Sequence, residues 1–161
     1  MATPTNLPAS QTTGNVLTAA YVNDLRGAFR ILQVVSAENL TAATSTSATY
    51  VDSGLTATIT PQATTSKILA IYSENIYTNA GTTGCGIRLV RGATTLDTVI
   101  DLSYGTSSGI LASHAFTYLD SPSTTSATTY KTQFARTTGA GTVFVQPNNS
   151  RSSLILMEVS A

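Results

Sequence analysis

Leu55-Thr56-Ala57-Thr58-Ile59-Thr60 alternates apolar and hydroxyl side chains without a break. Successive side chains on an extended chain point to opposite faces, so this stretch reads as a strand with one buried and one wet face. The same period of two continues on both sides of it. It predicts strands at Ile31–Ser36, Ser47–Val51, Leu55–Thr60, Lys67–Tyr77, Cys85–Arg91, Thr95–Asp101, Ile110–Leu119, Thr128–Arg136, Thr142–Gln146 and Ser153–Val159. Turn clusters fall between them: Asp52-Ser53-Gly54, Asn79-Ala80-Gly81, Gly92, Gly105, Asp120-Ser121-Pro122, Gly139-Ala140-Gly141 and Pro147-Asn148-Asn149. Helices alternating with strands, the mark of a parallel sheet, are absent from this pattern. The expected fold is therefore all-β, a jelly-roll-like antiparallel β-sandwich over residues 31–161.

Two strands carry more apolar surface than a two-layer sandwich needs. In Lys67–Tyr77, Ile68, Ala70, Tyr72 and Ile76 share one face, yet Leu69 and Ile71 sit on the other. In Ser153–Val159, Leu154 and Leu156 oppose Ile155, Met157 and Val159. Only one face of each can enter the core. Leu69, Ile71, Ile155 and Met157 must be covered, either by a loop or the N-terminal helix or, as candidate contacts, by another copy of the chain. The first and last strands are both strongly apolar and are expected to lie near each other in one sheet.

Upstream the pattern differs. Residues 1–17 are rich in Pro, Thr, Ser and Asn and show no apolar periodicity, so they cannot bury a core of their own. The spacing then predicts a helix over 18–32, with Thr18 as N-cap. Val22, Leu25, Phe29 and Leu32 recur at intervals of three, four and three, forming one stripe. Gly27 costs this helix about 1 kcal/mol relative to alanine. Residues 1–30 are read as an attachment arm and a helix whose stripe either folds back onto the β domain or packs on symmetry mates or a docking protein of the virion.

Composition narrows the function. Charged residues are 10% of the 161, against about 25% in ordinary domains, and the formal net charge is zero. Serine and threonine fill the gap at roughly 30% of the chain. Basic residues spread singly in a neutral chain offer no footprint for nucleic acid. No run of eighteen apolar residues and no basic-then-apolar start occurs, so neither membrane insertion nor a secretory signal is expected.

No catalytic constellation stands out. Cys85 is the single cysteine and reads as a small buried hydrophobe. The single histidine, His114, alternates with Ala112 and Phe116, and no G-x-S-x-G elbow or P-loop accompanies it. Three copies of His114 could meet only on a symmetry axis. Asp97 and Asp101 fall on one face, where they could pair with Arg88 and Arg91 or, with loop carbonyls, hold calcium. Asp120 is expected to bond forward within its turn. Seven tyrosines offer flat rings to sugars but form no cluster in the sequence. No cofactor, metal or catalytic residue is expected, and the chain is read as a structural protein rather than an enzyme.

Two stretches look familiar. Gly14–Leu25, GNVLTAAYVNDL, is similar to a short segment near the N-terminus of many tailed-phage fibre proteins, where it opens the virion-attachment region. From Gln33 to Val159 the chain resembles a β domain of fibre and other virion proteins of tailed phages, including those of cyanobacteria. Its marks are Thr60-Pro61 followed by Ser66-Lys67-Ile68-Leu69, Arg88-Leu89-Val90-Arg91-Gly92, Tyr118-Leu119-Asp120-Ser121-Pro122, Thr128-Thr129-Tyr130-Lys131 and the closing Leu154–Val159. The resemblance implies a homotrimer located in the virion, with a head similar to tumour-necrosis-factor-like trimers. The implied role is a short tail fibre or baseplate appendage. A capsid decoration protein and a carbohydrate-binding module that meets host surface glycans are the alternatives. The chain departs from longer fibres in that a single head follows the attachment segment directly.

Overall fold

The computed structural model describes residues 31–106 and 109–160. Along them run β1 (Ile31–Asn39), β2 (Ala43–Ser45), β3 (Val51–Ile59), β4 (Lys67–Thr78), β5 (Gly84–Arg91) and β6 (Thr94–Leu102). There follow β7 (Ile110–Asp120), β8 (Thr128–Thr138), β9 (Val143–Val145), a 3-10 turn at Pro147–Asn149 and β10 (Ser152–Val159). One sheet runs β1-β10-β4-β9-β2 with β7 on β4, and the other runs β3-β8-β5-β6.

Two strand pairs are single strands interrupted by a loop. Along one side of β4, β10 pairs with residues 67–73 and β9 with residues 76–78, while β7 takes the other side. Opposite them, β1 pairs with β10 and β2 with β9. With each interrupted pair counted as one strand, the chain-order positions read 1-8-3-6 in one sheet and 2-7-4-5 in the other. This is the jelly-roll order of an antiparallel sandwich. The first and last strands lie side by side, Val34 opposite Met157 and Val35 opposite Leu156.

The core fills the space between the sheets. Leu55, Ala57 and Ile59 of β3, Ile68, Ala70, Tyr72 and Ile76 of β4, Ile87 and Leu89 of β5, Phe134 of β8, and Leu154 and Leu156 of β10 are all buried. Burying each large side chain contributes about 1.5–3 kcal/mol. The alternation that begins at Leu55 is thus the packing pattern of the sandwich, and Thr56 and Thr58 face water.

Three expectations are corrected. The strand expected at Ser47–Val51 does not form, because hydroxyls there turn the chain back on itself. Ser47 N–H donates to Ser45 Oγ at 3.1 Å, and Thr49 N–H donates to Ser47 Oγ at 3.0 Å. Pairing resumes at Val51, and an unforeseen short strand, β2, precedes the turn. Asp52-Ser53-Gly54 is not a turn but a bulge within β3, where the register with β8 shifts between Asp52 and Thr56. Gly54 makes the bulge possible: its φ is +86°, and a Cβ there would meet Asn39 Nδ2 at 2.7 Å. That Asn39 amide donates to the Ser53 carbonyl at 2.9 Å and ties the bulge to β1. Leu32, expected to end a helix, lies in β1, where the ladder with β10 holds the backbone extended.

A carboxyl sits in the middle of this core. Glu74 of β4 is fully buried. Its Oε1 accepts from Thr132 Oγ1 at 2.5 Å and Ser53 Oγ at 3.3 Å, both on the opposite sheet, and its Oε2 accepts from Gln146 Nε2 at 2.7 Å. Burial pushes its pKa up, and the hydrogen bonds from Ser152, Thr132, Ser53 and Gln146 oppose that rise only in part. Below the ordinary value of 4.5 the group is protonated whether the chain is folded or not. As pH climbs, the unfolded chain releases its proton first, so wild-type stability falls until the raised folded pKa is passed. Glu74→Gln cannot titrate, and a flip of the Gln146 amide would bring its unpartnered Oε1 to the new N–H. The variant should therefore gain on the wild type between about pH 4 and pH 7. Urea midpoints at the two pH values measure this; a constant difference between the proteins would contradict the raised pKa.

Candidate interaction face

The two outer faces of the sandwich differ in chemistry. On the β3-β8-β5-β6 sheet, Asp52, Gln133, Arg88 and Thr98 form one row. Asp52 accepts from Lys131 Nζ at 2.9 Å and Gln133 Nε2 at 2.5 Å, and Arg88 Nε donates to Gln133 Oε1 at 2.7 Å. The Arg88 guanidinium also lies 4.4 Å from the centre of the Tyr50 ring. The hydrogen bonds from Gln133 and Lys131 hold the Asp52 carboxyl below its usual range. This face satisfies its own charges and keeps them in water.

The other outer face belongs to β1, β10, β4 and β7. Cross-strand register builds it from rows. Val34, Met157, Leu69 and Leu119 stand opposite one another across all four strands. The next outward row is Ser36, Ile155, Ile71 and Thr117. The middle is polar: Ser73 and Ser153 share a hydrogen bond of 2.9 Å, and Asn75 lies opposite Ser113. At the far end Phe144, Tyr77 and Leu111 make a second apolar row. There the Tyr77 and Phe144 rings lie 5.3 Å apart, and a cavity of about 530 Å³ opens among Ala42, Tyr77, Leu111, Phe144, Pro147 and Asn148.

Leu69, Ile71, Ile155 and Met157, singled out in the sequence, are therefore neighbours. Leu69 faces Met157 and Ile71 faces Ile155 across the β4–β10 ladder. The register adds Val34 and Leu119, which are 54% and 53% exposed, and so completes the first row. Leu32 stands in β1 rather than on a helical stripe. Val22, Leu25 and Phe29 lie outside the described residues, as does the arm.

The chemical candidates are dispersed. His114 Nε2 lies 3.2 Å from Ser103 Oγ, and its ring stacks on Phe116 at 6.4 Å; burial lowers its pKa. Cys85 is buried, and burial pushes its thiol up to about 12, so it offers no thiolate at neutral pH. Asp97 accepts from the Tyr72 hydroxyl at 3.0 Å, while Asp101 accepts from Thr137 and Thr138. Neither pairs with Arg88 or Arg91: Arg91 is held by Asp120 at 2.6 Å, and Arg88 lies on Gln133 and the Tyr50 ring. Among the described residues no three His, Cys, Asp or Glu side chains converge on one point.

Asp120 is also a correction. Its carboxylate does not bond forward in a turn but is buried, accepting from Arg91 Nη1 at 2.6 Å and the Tyr130 hydroxyl at 2.7 Å. Asp120 continues the inward alternation of Ala112, His114, Phe116 and Tyr118, so the period of two already pointed it at the core.

No protein-family model matches the chain. No curated protein matches it either. Among solved structures, it is similar to infectious bursal disease virus, Gx strain, with a TM-score of 0.40 and 15% identity over 80% of this chain and 37% of that one. The VP2 subviral particle of the same virus gives 0.41 and 15% over 80% and 38%. A D431N mutant VP2 in derived T=1 particles gives 0.40 and 17% over 80% and 36%. The chain spans less than two-fifths of each of these proteins.

The Arg91–Asp120 pair generates a direct test. Arg91→Ala leaves a buried carboxylate with only the Tyr130 hydroxyl, so it should cost about 2 kcal/mol or more. Urea unfolding at pH 7 measures the loss, and Arg91→Ala with an unchanged midpoint would mean that the pair contributes nothing.

Proposed function

We propose that this chain is a self-associating structural protein of a virus particle, a short homotrimeric tail fibre or baseplate appendage rather than an enzyme. The observation that carries the reading is the contrast between the two outer faces. One holds its charges in a hydrogen-bonded lattice. The other presents Val34, Met157, Leu69 and Leu119 in an unbroken row, backed by Ile155 and Ile71. Contiguous apolar patches beyond a few hundred Å² are uncommon on monomers and mark contact surfaces.

Three further points support it. The two stretches that resemble virion proteins of tailed phages cover most of the chain. The low charge gives a free monomer little protection against association. Ile31 and Val159 face each other at one end of the sandwich, so an N-terminal arm would leave from that end while the Tyr77–Phe144 end points away. Attachment then falls to residues 1–30.

Sedimentation equilibrium of the whole protein should give a mass of three chains, and Leu69→Glu should shift it towards one. A stable wild-type monomer at micromolar concentration would defeat the proposal. Deleting residues 1–30 should leave a folded, trimeric head that no longer joins particles during assembly. Normal incorporation of that head would assign attachment to the head itself, as in a capsid decoration protein.

A further inference from the structure

We infer that the cavity at Tyr77, Leu111 and Phe144 is a socket filled by Tyr104 from a second copy of this chain, so that the copies meet head to tail. The inference rests on the homotrimer reading and adds its interface. The socket lies on the apolar outer face already described, at the end away from Ile31, and continues it. Leu111 on its rim is 60% exposed, and none of Ala42, Tyr77, Leu111, Phe144, Pro147 or Asn148 is charged. An apolar, uncharged side chain with a polar tip fits such a site.

The same chain carries side chains of that kind elsewhere. Ile100 of β6 and Tyr104 just beyond it are 59% and 53% exposed. β6 is the edge strand of its sheet, β7 is the edge strand of the other, and the two touch across the sandwich. Tyr104 is presented on a fixed backbone. Its neighbour Ser103 contacts His114 through Oγ, and the Ser103 carbonyl accepts from Thr78 Oγ1 at 3.1 Å. On its other side the Gly105 carbonyl accepts from Thr82 N–H at 2.5 Å. Asp101, the charge nearest in sequence, is turned to Thr137 and Thr138.

On the homotrimer reading, a two-fold pairing of face on face is excluded: it closes two copies only, and it would leave Ile100 and Tyr104 in water. In a closed ring each copy contributes its face to one neighbour and its β6–β7 edge to the other, and all of these residues are covered.

Cysteines at the two positions test the contact. Cys85 is buried and can remain. Under mild oxidation, the double variant Tyr104→Cys, Leu111→Cys should run as a covalent trimer on a non-reducing gel, and each single variant as a monomer. Tyr104→Ser, a change at an exposed position, should weaken the trimer by about tenfold or more. Cross-linking of Leu111→Cys alone would mean face-on-face pairing and overturn the inference. A trimer in the ultracentrifuge that gives no cross-link in the double variant would overturn it too, leaving the homotrimer reading intact. A wild-type monomer would remove both.

Discussion

The β4–β10 ladder is the constraint on which the rest of this molecule depends. Seven register pairs, from Ser153 opposite Ser73 to Val159 opposite Lys67, join two strands that are apolar on both sides. Their inward side chains, Ile68, Ala70, Tyr72, Leu154 and Leu156, hold one wall of the core. The same hydrogen bonds fix Leu69, Ile71, Ile155 and Met157 as a block facing outwards. A slip of β10 by one residue would turn Ser153, Ile155 and Met157 into the core and Leu154 and Leu156 out of it. Core and apolar outer face are thus two sides of one pairing, and neither can be changed without moving the other.

Glu74 adds a second tie at the same place. Its carboxyl reaches Ser53 and Thr132 on the facing sheet and Gln146 in the loop that interrupts the β9–β10 strand. An apolar residue would pack there without the cost of burying an acid. The acid gathers donors from both layers, Ser53 and Thr132 from one sheet and Gln146 from the loop of the other. The loop it steadies places Pro147 and Asn148 beside the Tyr77–Phe144 cavity. Core chemistry therefore shapes the surface where the second apolar row ends.

Most of the sandwich was legible from a period of two. A strand with strict alternation, such as Leu55–Ile59, has near neighbours in the sequence that settle its faces. The stretch from Ala43 to Val51 was not legible, because alanine, serine and threonine suit a strand and a hydroxyl-capped turn equally well. Gly54 announced a turn by composition, while its actual role, a bulge pressed against Asn39, depends on a strand fifteen residues away. Leu69, Ile71, Ile155 and Met157 could be singled out because they broke the alternation rule. Val34, Leu111 and Leu119 break it as well, each beside an inward apolar residue, but they gain their meaning only from the register across four strands. Glu74 was readable in principle: it shares a face with Ile68, Ala70, Tyr72 and Ile76, and an acid in that series is a polar group aimed into the core.

The central claim is that the apolar outer face is covered by another copy of the chain. Met157 stands in the first row of that face, half-buried between Val34 and Leu69, and Met1 is the only other methionine. Oxidation of a thioether by peroxide follows its access to solvent. The direct measurement is the rate of Met157 sulfoxide formation, read by mass spectrometry as the protein is diluted. Slow oxidation at high concentration that rises as the oligomer dissociates is the predicted result. Fast oxidation of Met157, independent of concentration, would contradict the account, because the face would then be open to water in every state of the protein.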